Sequence, residues 1–185
     1  LLLQREGRLA EAEPLLRDVL DVRLKILGPE HYMVGYARVS LAMLLHDKGD
    51  LPGAENEFRQ ALAIYDKALP DNHQYRASLL THFARLLVDR GKIDEALAKS
   101  NEAIKIWSAT LPTTSPPLAQ AHAIHAYALE RAGKSQEAAV ELEAAVPILL
   151  KARGADDPMV RRAQNWLNAA HTDPIKTATT AATVR

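Results

Sequence analysis

Four glycines, Gly7, Gly49, Gly91 and Gly133, stand 42 residues apart with no insertion or deletion between them. Each opens a related phrase: GRLAEAEPLL (7–16), GDLPGAENEF (49–58), GKIDEALAKS (91–100) and GKSQEAAVEL (133–142). Further columns keep the same phase. Five residues on come Ala12, Ala54, Ala96 and Ala138, and thirteen on come Leu20, Leu62, Ile104 and Val146. Twenty-one on come Gly28, Pro70, Pro112 and Gly154, all residues that end a helix, by a left-handed cap or a missing N–H. A period of this length means a repeat architecture, in which one unit cannot bury its apolar faces without its neighbours.

Each period divides into two helices. In the second, Leu51, Ala54, Phe58, Ala61, Leu62, Tyr65 and Leu69 follow steps of three and four, one face of a helix and not a strand alternation. The run is about 18 residues, or ~27 Å of helix. The turns GPEH (28–31), PDNH (70–73), PTTSPP (112–117) and GADDP (154–158) follow, and the other helix then runs to the next glycine, as in 36–49 and 76–91. Ser115 and Asp157 precede prolines as N-caps, while His31 and His73 share a turn column and are expected to satisfy backbone groups. Ala42, Ala84 and Ala126 stand twelve residues before the second-helix alanines, so small side chains at both crossing points let paired helices approach closely. Tyr65, Trp107 and His125 fall in core columns. Pro147 lies mid-helix and is expected to kink it.

This pattern resembles the tetratricopeptide repeat, in its kinesin-light-chain-like 42-residue form, with LLRDVLDVRLKI (15–26) and LGPEH (27–31) close to that subtype's wording. The resemblance implies an all-α, right-handed superhelical solenoid of antiparallel helix pairs over residues 1–171. Leu2 and Leu3 share a register with Leu44–Leu45 and Leu86–Leu87, which predicts a truncated first helix at 1–6 and a parent protein continuing upstream. Periods start at 7, 49, 91 and 133, the last closing in a capping helix marked by Trp166, Asn168 and Arg161–Arg162. Residues 172–185 lack apolar periodicity and are expected to form a flexible tail.

The family's concave groove is lined by the first helix of each pair. Carried over, its lining is Tyr36, Val39, Ser40, Met43, His46 and Asp47 in one helix. The next supplies Ser78, Thr81, His82, Arg85 and Asp89, and the third Gln120, Ala123, Tyr127, Glu130 and Arg131. Where kinesin-type repeats often carry a peptide-binding asparagine, this chain has Ser40, His82, Ile124 and Trp166. Tyr36, Met43 and Tyr127 are either anchors for a partner or packing between adjacent helices.

Composition narrows the function. Lys plus Arg number 23 and so do Asp plus Glu, so no net positive field exists to draw in nucleic acid. Cysteine is absent, which removes disulfides and thiol chemistry, and no apolar run is long enough to span a bilayer. No phosphate loop, HExxH or nucleophile elbow occurs. His82, His122 and His125 could in principle ligate zinc, but His125 occupies a core column and no carboxylate is evident beside them, so no metal or cofactor is expected. The expectation is a non-enzymatic, cytoplasmic scaffold that binds a peptide or helix of a partner protein in its groove. Two alternatives are a C-terminal regulatory or substrate-docking region of a larger signalling protein, such as a bacterial serine/threonine kinase, and self-association through the open N-terminal end.

Overall fold

A computed structural model describes residues 9–172 of the 185-residue chain. The expected helix at 1–6, Gly7 and residues 173–185 of the expected tail lie outside the described residues. Eight helices follow in order: α1 (Leu9–Leu27), α2 (Tyr32–Lys48), α3 (Leu51–Ala68), α4 (Gln74–Asp89), α5 (Ile93–Thr110), α6 (Pro116–Arg131), α7 (Ser135–Arg153) and α8 (Pro158–Thr172). Among the described residues there is no strand. The helices fall into two units divided at Gly91, one of the periodic glycines.

Within the first unit α1 packs on α2, α2 on α3, and α3 on α4, with α2 also touching α4. The second unit repeats this plan: α5 on α6, α6 on α7, α7 on α8, with α6 touching α8. Neighbour-only packing plus a contact two helices on is the signature of stacked helical pairs.

The alanine columns lie in the core. Ala42, Ala54, Ala84, Ala96, Ala126 and Ala138 are all fully buried. Larger side chains fill the space beside them, with the Phe58 and Phe83 rings stacked 5.4 Å apart and Tyr65, Leu142 and Leu149 fully enclosed. Tyr65 also approaches Gly35 closely: a Cβ on Gly35 would lie 2.6 Å from Tyr65 Cε1. The same column holds Ala77 and Ala119, both buried, so a small residue is a requirement of the fold, and beside Tyr65 it shrinks to glycine.

The corners follow from backbone chemistry. Gly49, Gly91 and Gly133 adopt φ of 87°, 74° and 78°, the left-handed region that costs other residues about 1–2 kcal/mol. A Cβ there would meet nothing within 4 Å, so the column is held by conformation alone. At the other turns, Leu69 and Leu111 are extended (φ −131° and −129°), the state that a following proline favours.

Helix starts show the largest departures from sequence expectation. α2 and α4 begin at Tyr32 and Gln74, ahead of the 36 and 76 read from apolar periodicity, because His31 and His73 act as N-caps. Their Nδ1 atoms accept from the backbone N–H of Met33 at 3.2 Å and Tyr75 at 3.1 Å. Asp157 caps α8 as expected, Oδ1 accepting from Met159 N–H at 2.8 Å. Ser115 occupies the cap position of α6 without a side-chain bond; Pro116 and Pro117 have no N–H to offer it. α7 runs unbroken through Pro147. Pro147 and Glu143 are both exposed, which leaves the carbonyl that loses its intrahelical partner open to water.

Candidate functional site

The first unit brings four of the carried-over groove residues together. His46 and Asp47 end α2, and Arg85 and Asp89 end α4. Asp89 Oδ2 lies 2.7 Å from His46 Nε2, Arg85 Nη2 is 3.0 Å from His46 Nδ1, and Arg85 Nη2 donates to Asp47 Oδ1 at 2.9 Å. A guanidinium only donates, so Nδ1 of His46 accepts and Nε2 carries the proton toward Asp89. The imidazole side chain is 5% exposed and the guanidinium 13%, so the arrangement is a polar lock between two helices with its acidic ends at the surface.

Nearer the start of these helices the surface turns aromatic. Tyr36 is 38% exposed, its ring 5.5 Å from Tyr75 and 5.7 Å from the Arg23 guanidinium carbon. Arg23 in turn donates to the Met33 carbonyl at 2.9 Å. Tyr75 also lies 6.1 Å from Tyr32 and 6.4 Å from Tyr65. Met43, Ser40, Ser78 and His82 are half-buried, Ser40 Oγ donating to the Tyr36 carbonyl at 3.1 Å. Val39 and Thr81 are buried, the Thr81 hydroxyl spent on the Ala77 carbonyl at 2.8 Å, so they support the surface from beneath.

In the second unit, Tyr127 stacks flat on Trp166 of α8, centroids 4.4 Å apart and planes 7° off parallel. That ring serves helix packing and leaves Tyr36 as the more available aromatic group. Gln120 accepts from Arg153, Glu130 is half-buried and Arg131 is exposed, whereas Ala123 is buried.

Sequence reading missed Glu141. It lies between the two α6 histidines, His125 Nδ1 donating to Oε1 at 2.9 Å and His122 Nδ1 to Oε2 at 3.2 Å. Burial opposes ionisation of this carboxyl, but the hydrogen bonds from His122 and His125 outweigh it and hold its pKa down at about 2. The expectation that no carboxylate accompanies these histidines is therefore corrected. A signal existed: Glu57 stands 84 residues earlier in the same column and pairs with Arg38 of α2, Oε2 to Nη1 2.6 Å. Among the described residues no group of three or more histidines and acids is arranged to hold a metal. No described helix is long and apolar enough to cross a membrane.

The comparisons agree with this architecture. The family model for the tetratricopeptide repeat matches residues 1–67. A crystal structure of nearly identical TPR-like repeats from Podosopora anserina, described as a kinesin light chain, is 27% identical. It aligns over 91% of this chain and 80% of its own at a TM-score of 0.72, and the structure of a point variant of that protein gives the same values. BtubC (BKLC) from P. vanneervenii is 21% identical over all of this chain and 78% of its own, at a TM-score of 0.69, a likeness of fold. No curated protein matches the sequence. Arrays of this kind are in general non-catalytic surfaces for protein interaction. The periodic columns, the all-helical stacking and these matches together give the chain a tetratricopeptide-repeat fold similar to that of kinesin-light-chain-like repeats.

Proposed function

We propose that the chain is a non-enzymatic scaffold that binds an extended peptide or a helix of a partner protein, in a cytoplasmic setting, along the face made by the first helices of its repeats. The observation that carries this reading is the clustering of His46, Asp47, Arg85 and Asp89 across α2 and α4, beside the exposed ring of Tyr36. An aromatic anchor flanked by fixed charges of both signs suits a partner held by apolar burial, with charge setting its register. The surface favours neither a strongly acidic nor a strongly basic ligand. Attachment to a larger signalling protein, such as a kinase, is compatible with the same surface acting as a docking site.

The test is a peptide-array screen with the wild-type chain and with Tyr36→Ala combined with Met43→Ala. Both side chains are at least partly exposed, so the double variant should keep its helical circular dichroism. Peptides captured by the wild type should bind it at least about tenfold more weakly, the scale of losing an interface anchor. Capture at undiminished strength would remove this face from consideration.

A second reading has its own support. Leu15, Val19, Val22 and Ile26 form a row at steps of four and three on α1, and are 56%, 42%, 53% and 74% exposed. Such a row fits self-association. Mass measured by light scattering should then rise with concentration in the wild type and stay monomeric in Val22→Glu. A constant monomer mass for the wild type would end this reading.

A further inference from the structure

The second unit contains a cleft of about 320 Å³ formed by the end of α5, the turn after it, and the facing sides of α6 and α7. Its walls are mostly apolar, Leu118, Val140, Ala145 and Ile148 among them, and its titratable groups are His122 and Glu141. No lysine or arginine lines it. That size and make-up, apolar walls with a few convergent polar groups, is characteristic of ligand sites.

The 84-residue register shows how the cleft arises. The α2–α3 pair of the first unit carries the same columns, and there Glu57 meets a cation supplied by the chain itself: Arg38 reaches it at 2.6 Å, with the two side chains only 16% and 13% exposed. In the α6–α7 pair the acid is kept as Glu141, but the arginine column holds His122. Two other columns shrink as well, Leu24 to Ser108 and Gln60 to Ala144. The second unit thus keeps the anion, loses the internal guanidinium, and opens space beside it. His122 and His125 satisfy the carboxylate oxygens from Nδ1, which an imidazole can do without carrying charge. Unlike Arg38, they need not cancel the charge they bind.

We propose that this cleft receives an arginine side chain of a protein partner, the aliphatic stem lying against Leu118, Val140 and Ile148 and the guanidinium meeting Glu141 in the role that Arg38 plays toward Glu57. This rests on the scaffold reading above and names one chemical group that the partner presents. A guanidinium fits better than an apolar group alone, which would leave the carboxylate desolvated without a counter-charge. It also fits better than a compact ammonium, because the fork geometry of Arg matches a carboxylate already tied down by two donors.

The test titrates the full chain with Nα-acetyl-arginine methylamide and, separately, with its uncharged citrulline counterpart, following the methyl NMR signals of Val140 and Ile148. The arginine compound should shift them saturably, and the citrulline compound should bind at least about tenfold more weakly, as expected when a charge-assisted pair becomes a neutral one. Glu141→Gln should lose the preference for arginine. His122→Arg, which restores the first unit's arrangement, should lose binding while folding normally, as judged by circular dichroism. Absence of saturable shifts in the wild type, equal binding of the two compounds, or full binding by His122→Arg would each overturn the proposal. Peptide capture by the Tyr36 face is read on α2 and α4, with variants that leave α6 and α7 untouched, so either idea can fail while the other stands.

Discussion

Truncation of Tyr65 to alanine should lower the stability of the first unit by about 3–5 kcal/mol, the range for removing a buried aromatic side chain. Tyr65 is 1% exposed and its ring is the group that holds residue 35 to glycine, at 2.6 Å from where a Cβ would stand. The neighbouring backbone belongs to helices and cannot simply close over the void, so most of the cavity cost persists. Against a total of about 5–15 kcal/mol for a domain, this is a large share of the stability margin. The pairing can be tested further with an exchange. In the same two columns the second unit has Ala119 and Leu149, both buried. Gly35→Ala alone should destabilise by about 1–3 kcal/mol through overpacking, and Tyr65→Leu alone by a similar amount. The double variant should recover a stability above the sum of the two. Strict additivity of the urea midpoints would show that residues 35 and 65 do not constrain one another.

Arg85→Ala should cost the first unit about 1–3 kcal/mol, well above the half kilocalorie typical of exposed ion pairs. The difference comes from burial. The guanidinium donates to a histidine nitrogen whose side chain is 5% exposed, and truncation leaves that acceptor without this donor in a place where water enters poorly. Arg85→Lys should recover only part of the loss, since the lysine ammonium ends one bond short of the Nη2 that donates to both His46 and Asp47. Denaturant melts measure the cost. The imidazole ¹⁵N shifts of His46 give an independent readout, because with Arg85 removed the tautomer is no longer imposed by a donor on Nδ1. A midpoint unchanged within about 0.5 kcal/mol, with the tautomer intact, would show the lock to be ornamental.

Much of this architecture is readable from the periodic columns, because backbone rules act locally. A glycine corner, a proline stop and an alanine crossing each declare themselves by residue type, and the repetition removes the ambiguity that any one of them would carry. The histidine caps are half legible. Their shared column marks a turn role for His31 and His73, yet histidine is not a usual cap, so apolar spacing places the helix starts too late. The site is less legible for a different reason. His46 and Asp89 are 43 residues apart and Glu141 lies 19 from His122; whether such pairs meet depends on how each helix is rotated about its axis, which spacing along one helix does not report. Glu141 shares a column with Glu57 and Lys99, and charged residues in a column suggest a solvated face. Only the partner across the hairpin shows otherwise. The boundary at Gly91 is equally silent, since that glycine belongs to the same periodic column as its neighbours.

The stacked pair Tyr127–Trp166 carries a consequence for anyone watching this chain unfold. The sequence has two tryptophans, Trp107 and Trp166, and both lie beyond Gly91. Indole emission is therefore a private reporter of the second half, while far-ultraviolet ellipticity sums over both. If the halves melt as a single cooperative body, the two optical curves superimpose; if they melt in turn, the curves separate, and the gap between them measures how strongly one set of repeats feels the loss of the other.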